Sequence, residues 1–171
     1  VEEVVEIKPG EVPTGQPPVR VAVLPAKDAV DHAAADLFAR LLDPAVWEVE
    51  VAPGDALASE LLDVVDKSQP AIVVVVALPP GGLTHTRYLC KRLRQRAANV
   101  KVLVGRWAAP EDDAPGWAQL KSVGADEVVT TLEAAKTYLL GWRAVLATGP
   151  TPAPAEGERK VPRMLVGTVS A

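Results

Sequence analysis

Few residues of this chain have the chemistry of a catalytic centre. The sequence contains two histidines, His32 and His85, and one cysteine, Cys90. Nucleophilic catalysis needs a base beside the nucleophile and a third group that orients the base, and these side chains do not supply such a set. A single cysteine also excludes an intrachain disulfide and a CxxC metal or redox site. We expect Cys90 to be a small buried hydrophobe, as free cysteines usually are.

Other motifs that carry chemistry are also weak or absent. The acidic run at 111–113 could supply carboxylates for acid–base work, but three acids in a proline-bounded loop are usually solvated. No GxGxxG or GxxxxGK[ST] motif is present, and a net charge of −4 argues against general affinity for nucleic acid. The basic run at 91–96 has the spacing of a solvated helix face, with an anionic partner as the alternative. We therefore expect no enzymatic activity and no nucleic-acid partner.

The elements that must position these residues follow a regular pattern. Five short β-branched runs alternate with helical segments, and the run Ala71–Ala77 is apolar on both faces. Such strands are typical of a parallel sheet covered by helices. Right-handed crossovers then predict a Rossmann-like, flavodoxin-like α/β fold with strand order 2-1-3-4-5. We place the strands at 19–24, 47–51, 71–78, 100–104 and 127–130, and begin the helices near residues 28, 54, 84, 117 and 132.

Helical spacing also predicts which side chains face the core. The expected residues are Ala34, Leu37, Phe38, Leu41 and Leu42 of the first helix, Leu57, Leu61, Leu62, Val64 and Val65 of the second, and Tyr88, Leu89 and Leu93 of the third.

The domain is expected to cover residues 19–147. Residues 1–18 have the composition of a linker, and residues 148–171 form a proline-rich tail that ends in the apolar run Met164–Val169. No apolar run approaches the length needed to cross a bilayer. We expect a cytoplasmic domain. The chain starts without Met and could be a fragment of a longer protein, in which a membrane portion would tether the domain to the inner membrane.

A ligand is expected where the strand order reverses, between the first and third strands. The loops that follow the strands supply the candidate ligand-binding residues Lys27, Asp28, Pro79, Gly81, Gly82, His85, Arg106, Trp107 and Thr130.

Most of these candidates also have a structural explanation. Asp28 is placed to cap the first helix, and the residues 79–82 can simply turn the chain from strand to helix. His85 could contact an anion at a helix N-terminus or be an ordinary surface histidine. Arg106 and Trp107 could offer anion or cation–π contacts from an exposed loop, or the tryptophan could cover the sheet edge.

The loops after the first and third strands lack the residues that two familiar activities of this fold require. A phosphoacceptor receiver domain needs an Asp at the end of the third strand, where this chain has Ala77-Leu-Pro-Pro80. A flavodoxin needs a loop rich in Ser, Thr and Gly after the first strand to hold phosphate, whereas this chain has Pro25-Ala-Lys-Asp28. We expect neither phosphoryl transfer nor FMN binding.

The order of motifs resembles the cobalamin-binding domain family. The shared features are an apolar first strand, an acidic and histidine-containing segment after it, a third strand rich in Val, and the late turn Gly124-Ala-Asp126. That family uses a D-x-H-x-x-G motif whose histidine replaces the lower axial ligand of cobalt. In this chain Asp31 and His32 are adjacent and no Gly follows them. We therefore expect no cobalamin cofactor and no metal, and we interpret His32 as a residue of the helix surface.

A closer resemblance is to the cobalamin-domain-like cytosolic module at the C-terminus of some bacterial permeases of the autoinducer-2 exporter family. It covers about residues 19–142 and rests on the segments VLPAKD at 23–28, ALPP at 77–80, YLCKRL at 88–93, VGRW at 104–107 and GAD at 124–126. The resemblance implies a soluble part, or a stand-alone relative, of a membrane transporter, with regulatory or docking work instead of catalysis.

Two functions remain open at this point. A ligand-sensing regulatory module with a degenerate cobalamin-type site predicts a polar, open crevice at Lys27, His85 and Arg106 that takes a small anionic ligand. An interaction or assembly module without a small-molecule ligand predicts an exposed apolar patch. The residues expected in that patch are Trp117, Trp142 and Met164–Val169.

Overall fold

The computed structural model describes residues 15–110 and 114–148. Most of the expected linker, the acidic run at 111–113, and the proline-rich tail with Met164–Val169 lie outside these ranges. The strands are β1 (Val19–Pro25), β2 (Trp47–Val51), β3 (Ile72–Val76), β4 (Lys101–Gly105) and β5 (Glu127–Val129). The helices are α1 (Ala29–Arg40), α2 (Ala58–Ser68), α3 (Leu83–Arg96), α4 (Ala114–Ser122) and α5 (Leu132–Thr148).

The five strands form one parallel sheet in the order β2-β1-β3-β4-β5. This confirms the expected flavodoxin-like α/β fold. β3 lies at the centre, with Val23 of β1 and Leu103 of β4 as the register partners of Val74. All five residues of β3 are buried, because helices cover both faces of a parallel sheet.

The helices divide between the two faces of the sheet. Phe38 of α1 and Leu139 of α5 belong to one hydrophobic cluster. Leu61 of α2, Leu93 of α3 and Leu120 of α4 belong to the other. The molecule therefore has three layers, with α1 and α5 on one side and α2, α3 and α4 on the other.

Two leucines and one tyrosine of the first and third helical segments were expected in the core and are exposed instead. In α1, the buried side chains are Asp31, Ala35 and Phe38, whereas Leu37 and Leu41 are exposed. A helix packed on one side of a sheet buries a narrow stripe at spacings of three and four residues. Leu37 and Leu41 lie beside that stripe, and the same reason leaves Tyr88 of α3 exposed.

The second helix begins later than expected. The backbone N–H of Leu57 donates to the Glu60 carboxylate at 2.6 Å, and α2 starts at Ala58. Leu57 is consequently the N-cap residue and is exposed, so the prediction that it faces the core is wrong.

The turn Gly124-Ala-Asp126 has a structural role at the edge opposite the expected ligand crevice. The Arg94 guanidinium donates to the carbonyl oxygens of Ala98, Val100 and Gly124 and to Asp126 Oδ2, at 2.6–3.0 Å. Asp126 Oδ2 also accepts from the Val102 N–H at 2.7 Å. Arg94 thus joins the end of α3, the start of β4 and the turn before β5.

Within the described ranges, every helix is too short or too polar to cross a membrane.

Candidate functional site

The candidate site lies at the carboxyl edge of the sheet, where β1 and β3 send their loops in different directions. The segment 77–82, which we call the β3 loop, contains a cis peptide bond between Pro79 and Pro80. It also contains two glycines with positive φ, Gly81 at 86° and Gly82 at 78°, a conformation that favours glycine. The β3 loop therefore has a backbone that most other residues would not adopt.

Asp31, in the first turn of α1, is buried at the switch point. Only 1% of its surface is exposed, and Oδ1 accepts from the Leu78 N–H at 2.8 Å. Oδ2 is also buried and has no hydrogen-bond partner among the described residues. Burial raises the pKa of this carboxyl, because it disfavours the charged form, while the Leu78 N–H acts in the opposite direction. Asp31 thus ties α1 to the β3 loop.

Arg106, directly after β4, holds the same loop from the other side. Its Nη1 donates to the carbonyl oxygen of Gly81 at 3.0 Å and to that of Ala77 at 3.3 Å. Only 2% of the residue is exposed, so the prediction that Arg106 enters an exposed loop is wrong. Buried carbonyl groups need hydrogen-bond donors, and this guanidinium supplies them to the β3 loop.

Trp107 is buried as well, which corrects the expectation of an exposed pair with Arg106. Its ring lies 5.2 Å from that of Phe38, at an interplanar angle of 44°. A Cβ on Gly105 would lie 2.9 Å from the Trp107 indole, so the indole packs directly over the glycine backbone. The side chain therefore covers the end of the sheet, as the structural alternative proposed.

Lys27 and Asp28 remain at the surface. Lys27 Nζ lies 2.9 Å from Asp28 Oδ2, and this hydrogen bond raises the pKa of the lysine and lowers that of the aspartate. Asp28 Oδ1 accepts from the N–H groups of Val30 and Asp31, both at 3.1 Å. The prediction that Asp28 caps α1 is confirmed.

The remaining candidates have separate surroundings. His85 is exposed in the first turn of α3, whose N-cap Gly82 offers no side chain. Thr130 is half-buried, and its carbonyl oxygen accepts from the Ala108 N–H at 2.9 Å. Lys27 and His85 are thus exposed while Arg106 is buried, and the three do not form the open polar crevice that a sensor predicts.

Two surface cavities lie away from this edge, along β2 and α2. One of about 410 Å³ is lined by Arg20, Glu48 and Lys67 among others. Another of about 690 Å³ includes Pro53, Leu57 and Lys67. Neither includes a candidate ligand-binding residue. No group of three or more His, Cys, Asp or Glu side chains is arranged to hold a metal ion within residues 15–110 and 114–148.

His32 is half-buried between α1 and the loop after β2. Its Nε2 lies 3.7 Å from Asp36 Oδ2. A Cβ on Gly54 would lie 2.7 Å from the histidine Cβ and Cγ, so the imidazole fills the space that this glycine leaves. The His32 side chain is therefore more closely packed than we expected for a residue of the helix surface.

Sequence reasoning missed Asp31 as a site residue, although a signal was present. Asp31 begins the spacing that continues with Ala35, Phe38 and Leu42, all of which are buried. A carboxylate in the core-facing stripe of a helix needs a hydrogen-bond partner. A backbone N–H in the loop after the neighbouring strand is a natural candidate for that partner.

No protein-family model matches the chain, and no curated protein matches its sequence. Solved structures do resemble it. One is a cobalamin-binding protein from Desulfitobacterium hafniense DCB-2, at 16% identity and a TM-score of 0.59, over 73% of this chain and 59% of that one. Another is the methanol:cobalamin methyltransferase complex MtaBC from Methanosarcina barkeri, at 18% identity and a TM-score of 0.60, over 77% of this chain and 50% of that one.

Response regulators form a second group of similar structures. A two-component response regulator of the LuxR family from Aurantimonas sp. SI85-9A1 has 21% identity and a TM-score of 0.51, over 75% of this chain and 86% of that one. The chain therefore has the flavodoxin-like fold of both groups, and it spans 50–59% of the length of the two cobalamin-related chains.

Proposed function

We propose that this domain is a non-catalytic regulatory module with a degenerate cobalamin-type site. Two buried ionisable side chains beside the switch point, Asp31 and Arg106, form hydrogen bonds to the protein's own backbone. This observation supports the proposal most directly. Asp31 accepts from Leu78, and Arg106 donates to Ala77 and Gly81. Both groups hold the β3 loop in place, at the edge where proteins of this fold bind ligands.

The residues at this edge do not fit a histidine-ligated cobalamin. The imidazole of His32 packs against Gly54 and faces Asp36. The neighbouring Asp31 is occupied with the Leu78 amide. The domain accordingly has no cobalamin cofactor in this proposal, although cobalamin-related structures share its fold.

Phosphoacceptor chemistry has no support either. β3 ends at Val76 and is followed by Ala77 and Leu78, neither of which carries a carboxylate. The Lys27 and Asp28 pair after β1 is used in a mutual ion pair and a helix cap. In the proposal, the regulatory module is accordingly not phosphorylated at this position.

The transporter context rests on the resemblance of residues 19–142 to the cytosolic module of certain bacterial permeases. In the proposal, the domain works in the cytoplasm, either as part of a bacterial membrane transporter or bound to one. The test is to express the tagged domain in the cells that it comes from, to cross-link it there and to purify it from the membrane fraction. We expect a transporter to be purified with it. Recovery of soluble proteins alone would contradict this part.

The ligand part is tested by thermal unfolding with hydroxocobalamin, adenosylcobalamin and FMN. A ligand present at 100 times its Kd would raise the free energy of unfolding by about 2.7 kcal/mol, so binding is readily visible. We expect no shift with any of the three. Stabilisation by a cobalamin that His32→Ala removes, and that the control His85→Ala retains, would refute the degenerate site.

A second candidate function is an interaction or assembly module. Trp117 and Trp142, which this function was expected to use, are half-buried. Exposed apolar side chains occur instead on α1 and α5, and these favour a protein contact on that face of the sheet.

A further inference from the structure

The exposed apolar side chains of the described residues are concentrated on one face of the molecule. All the large ones except Leu57 and Tyr88 lie on or at the end of the two helices that cover the same side of the sheet. They are Val30 and Leu37 on α1, Leu41 at its C-cap, and Tyr138, Leu140, Val145 and Leu146 on α5. Single exposed leucines are ordinary, but a concentration of this kind marks an interaction surface.

Three α1 residues and the C-cap residue Leu41 form a continuous stripe, which we call the α1 seam. Val30, Ala33, Leu37 and Leu41 follow one another at intervals of three, four and four residues, so they share one side of the helix. Val30 is 63% exposed, Leu37 53% and Leu41 45%. These side chains are not needed for the core of their own domain, which α1 enters through Ala35 and Phe38.

The opposite face of the sheet is built differently. Arg96 of α3 lies 3.5 Å from Asp63 and 3.3 Å from Asp66, both on α2. Lys121 of α4 lies 2.7 Å from Glu127. Ion pairs thus join neighbouring elements across that surface, whereas the α1 seam presents aliphatic side chains to solvent.

Two side chains of opposite charge lie beside the α1 seam. Asp36 and Arg40 are four residues apart and lie on one flank of α1. With a rise of about 1.5 Å per residue, they sit on opposite sides of Leu37 along the axis, at about 1.5 and 4.5 Å. Asp36 keeps 47% of its side chain exposed beside His32.

In an antiparallel pair of α1 helices centred on Leu37, the same flanks face each other. Asp36 of one copy then lies within about 3 Å, along the axis, of Arg40 of the other, and the arrangement repeats on the other side of the two-fold axis. In a parallel pair, the charged flank would face the apolar flank at Ala34. Charge complementarity therefore selects the antiparallel arrangement of two identical chains.

We infer that two copies of this chain associate through antiparallel α1 helices, burying the α1 seam and pairing Asp36 of each copy with Arg40 of the other. A two-fold contact of this kind is closed and self-complementary, so it yields a dimer and not a filament. The inference rests on the surface of α1 and is independent of the proposed function.

The test is the oligomeric state of the full chain, measured by sedimentation velocity over a range of concentrations. We expect a dimer for the parent chain and a monomer for Leu37→Glu, since a buried charge in an apolar interface is costly. Leu57→Glu is the matched control, because Leu57 is an even more exposed leucine, at 68% against 53% for Leu37, on the other side of the sheet. It is expected to leave the dimer intact.

Charge reversal tests the arrangement itself. Asp36→Arg and Arg40→Asp should each weaken the dimer by about tenfold, because each replaces two ion pairs with two like-charge contacts. The double variant D36R/R40D should restore the parent dimer. Circular dichroism checks that each variant is folded.

A parent chain that stays monomeric up to about 1 mM would overturn the inference, and would assign the α1 seam to another segment of the chain or to a different protein. An equal loss of the dimer in Leu37→Glu and Leu57→Glu would also overturn it. Failure of the folded double variant to recover the dimer would reject the antiparallel pairing.

Discussion

Replacing Asp31 and Asp28 separately should change stability with opposite dependence on pH. The two carboxyls belong to the same helix start, but burial raises the pKa of Asp31 above 3.8 while the hydrogen bond with Lys27 lowers that of Asp28 below 3.8. A pKa that differs between the folded and unfolded states makes stability depend on pH. Because both carboxyls lie at the start of α1, a difference in pH dependence between the two variants reports on their surroundings and not on their position in the helix.

Asp31→Ala removes the acceptor of the Leu78 N–H, an interaction 2.8 Å long in a nearly inaccessible site. A buried donor left unsatisfied costs about 1–3 kcal/mol, and we expect a loss in this range at acid pH, where Asp31 is protonated in both states. Because the folded pKa is raised, the unfolded chain releases this proton first as the pH rises. The stabilisation by Asp31 is therefore full below about pH 3.8 and declines as the pH rises through the folded pKa.

Asp28→Ala should show the reverse trend. Its folded pKa is lowered, so its stabilisation is present above about pH 3.8 and is lost as the pH falls through the folded value. Urea unfolding of the parent chain and both variants at several pH values between 3 and 7 measures the two differences. If the difference between the parent chain and Asp31→Ala grew with rising pH, the carboxyl would be stabilised in its charged form and the reasoning from burial would be refuted.

Three further outcomes follow from the surroundings of two glycines and the cysteine. Gly105→Ala should destabilise the fold by about 1–3 kcal/mol and shift tryptophan fluorescence, because the new Cβ would lie 2.9 Å from the Trp107 indole; unchanged stability and emission would contradict this. Gly141→Ala on α5 should instead stabilise it by about 0.5–1 kcal/mol, since nothing lies within 4 Å of the added Cβ, and denaturant unfolding measures both variants. The buried thiol of Cys90, whose pKa burial raises to about 12, should react with a thiol reagent at neutral pH only as fast as the chain unfolds; rapid reaction of the folded protein would contradict its burial.

The strand pattern was sufficient to predict the fold. β2 was expected at residues 47–51 and is observed there, and the order of all five strands is as expected. Strands buried on both faces leave a strong signal, because almost every residue of the run must be apolar. The right-handedness of the connections then restricts the order of the strands.

The surroundings of individual side chains were less predictable. Asp28 could be identified as a cap because its partners are two and three residues away. Arg106 could not be identified as buried, because its acceptors Ala77 and Gly81 are at least 25 residues distant in sequence. Leu37 has an apolar side chain whether it faces the sheet or solvent, so the spacing of apolar residues alone could not show which of these two environments it occupies.

Arg94 has a consequence for how the molecule opens. Its guanidinium bonds to groups that precede β4 and β5 and to the segment that ends α3, so none of these can detach without breaking the same set of bonds. Elements that open together give their amide hydrogens a common free energy of opening in hydrogen exchange. The amides of Val102 and of the turn at 124–126 should therefore behave as one cooperative unit, whose opening requires breaking the bonds of one side chain at the edge of the sheet opposite the β3 loop.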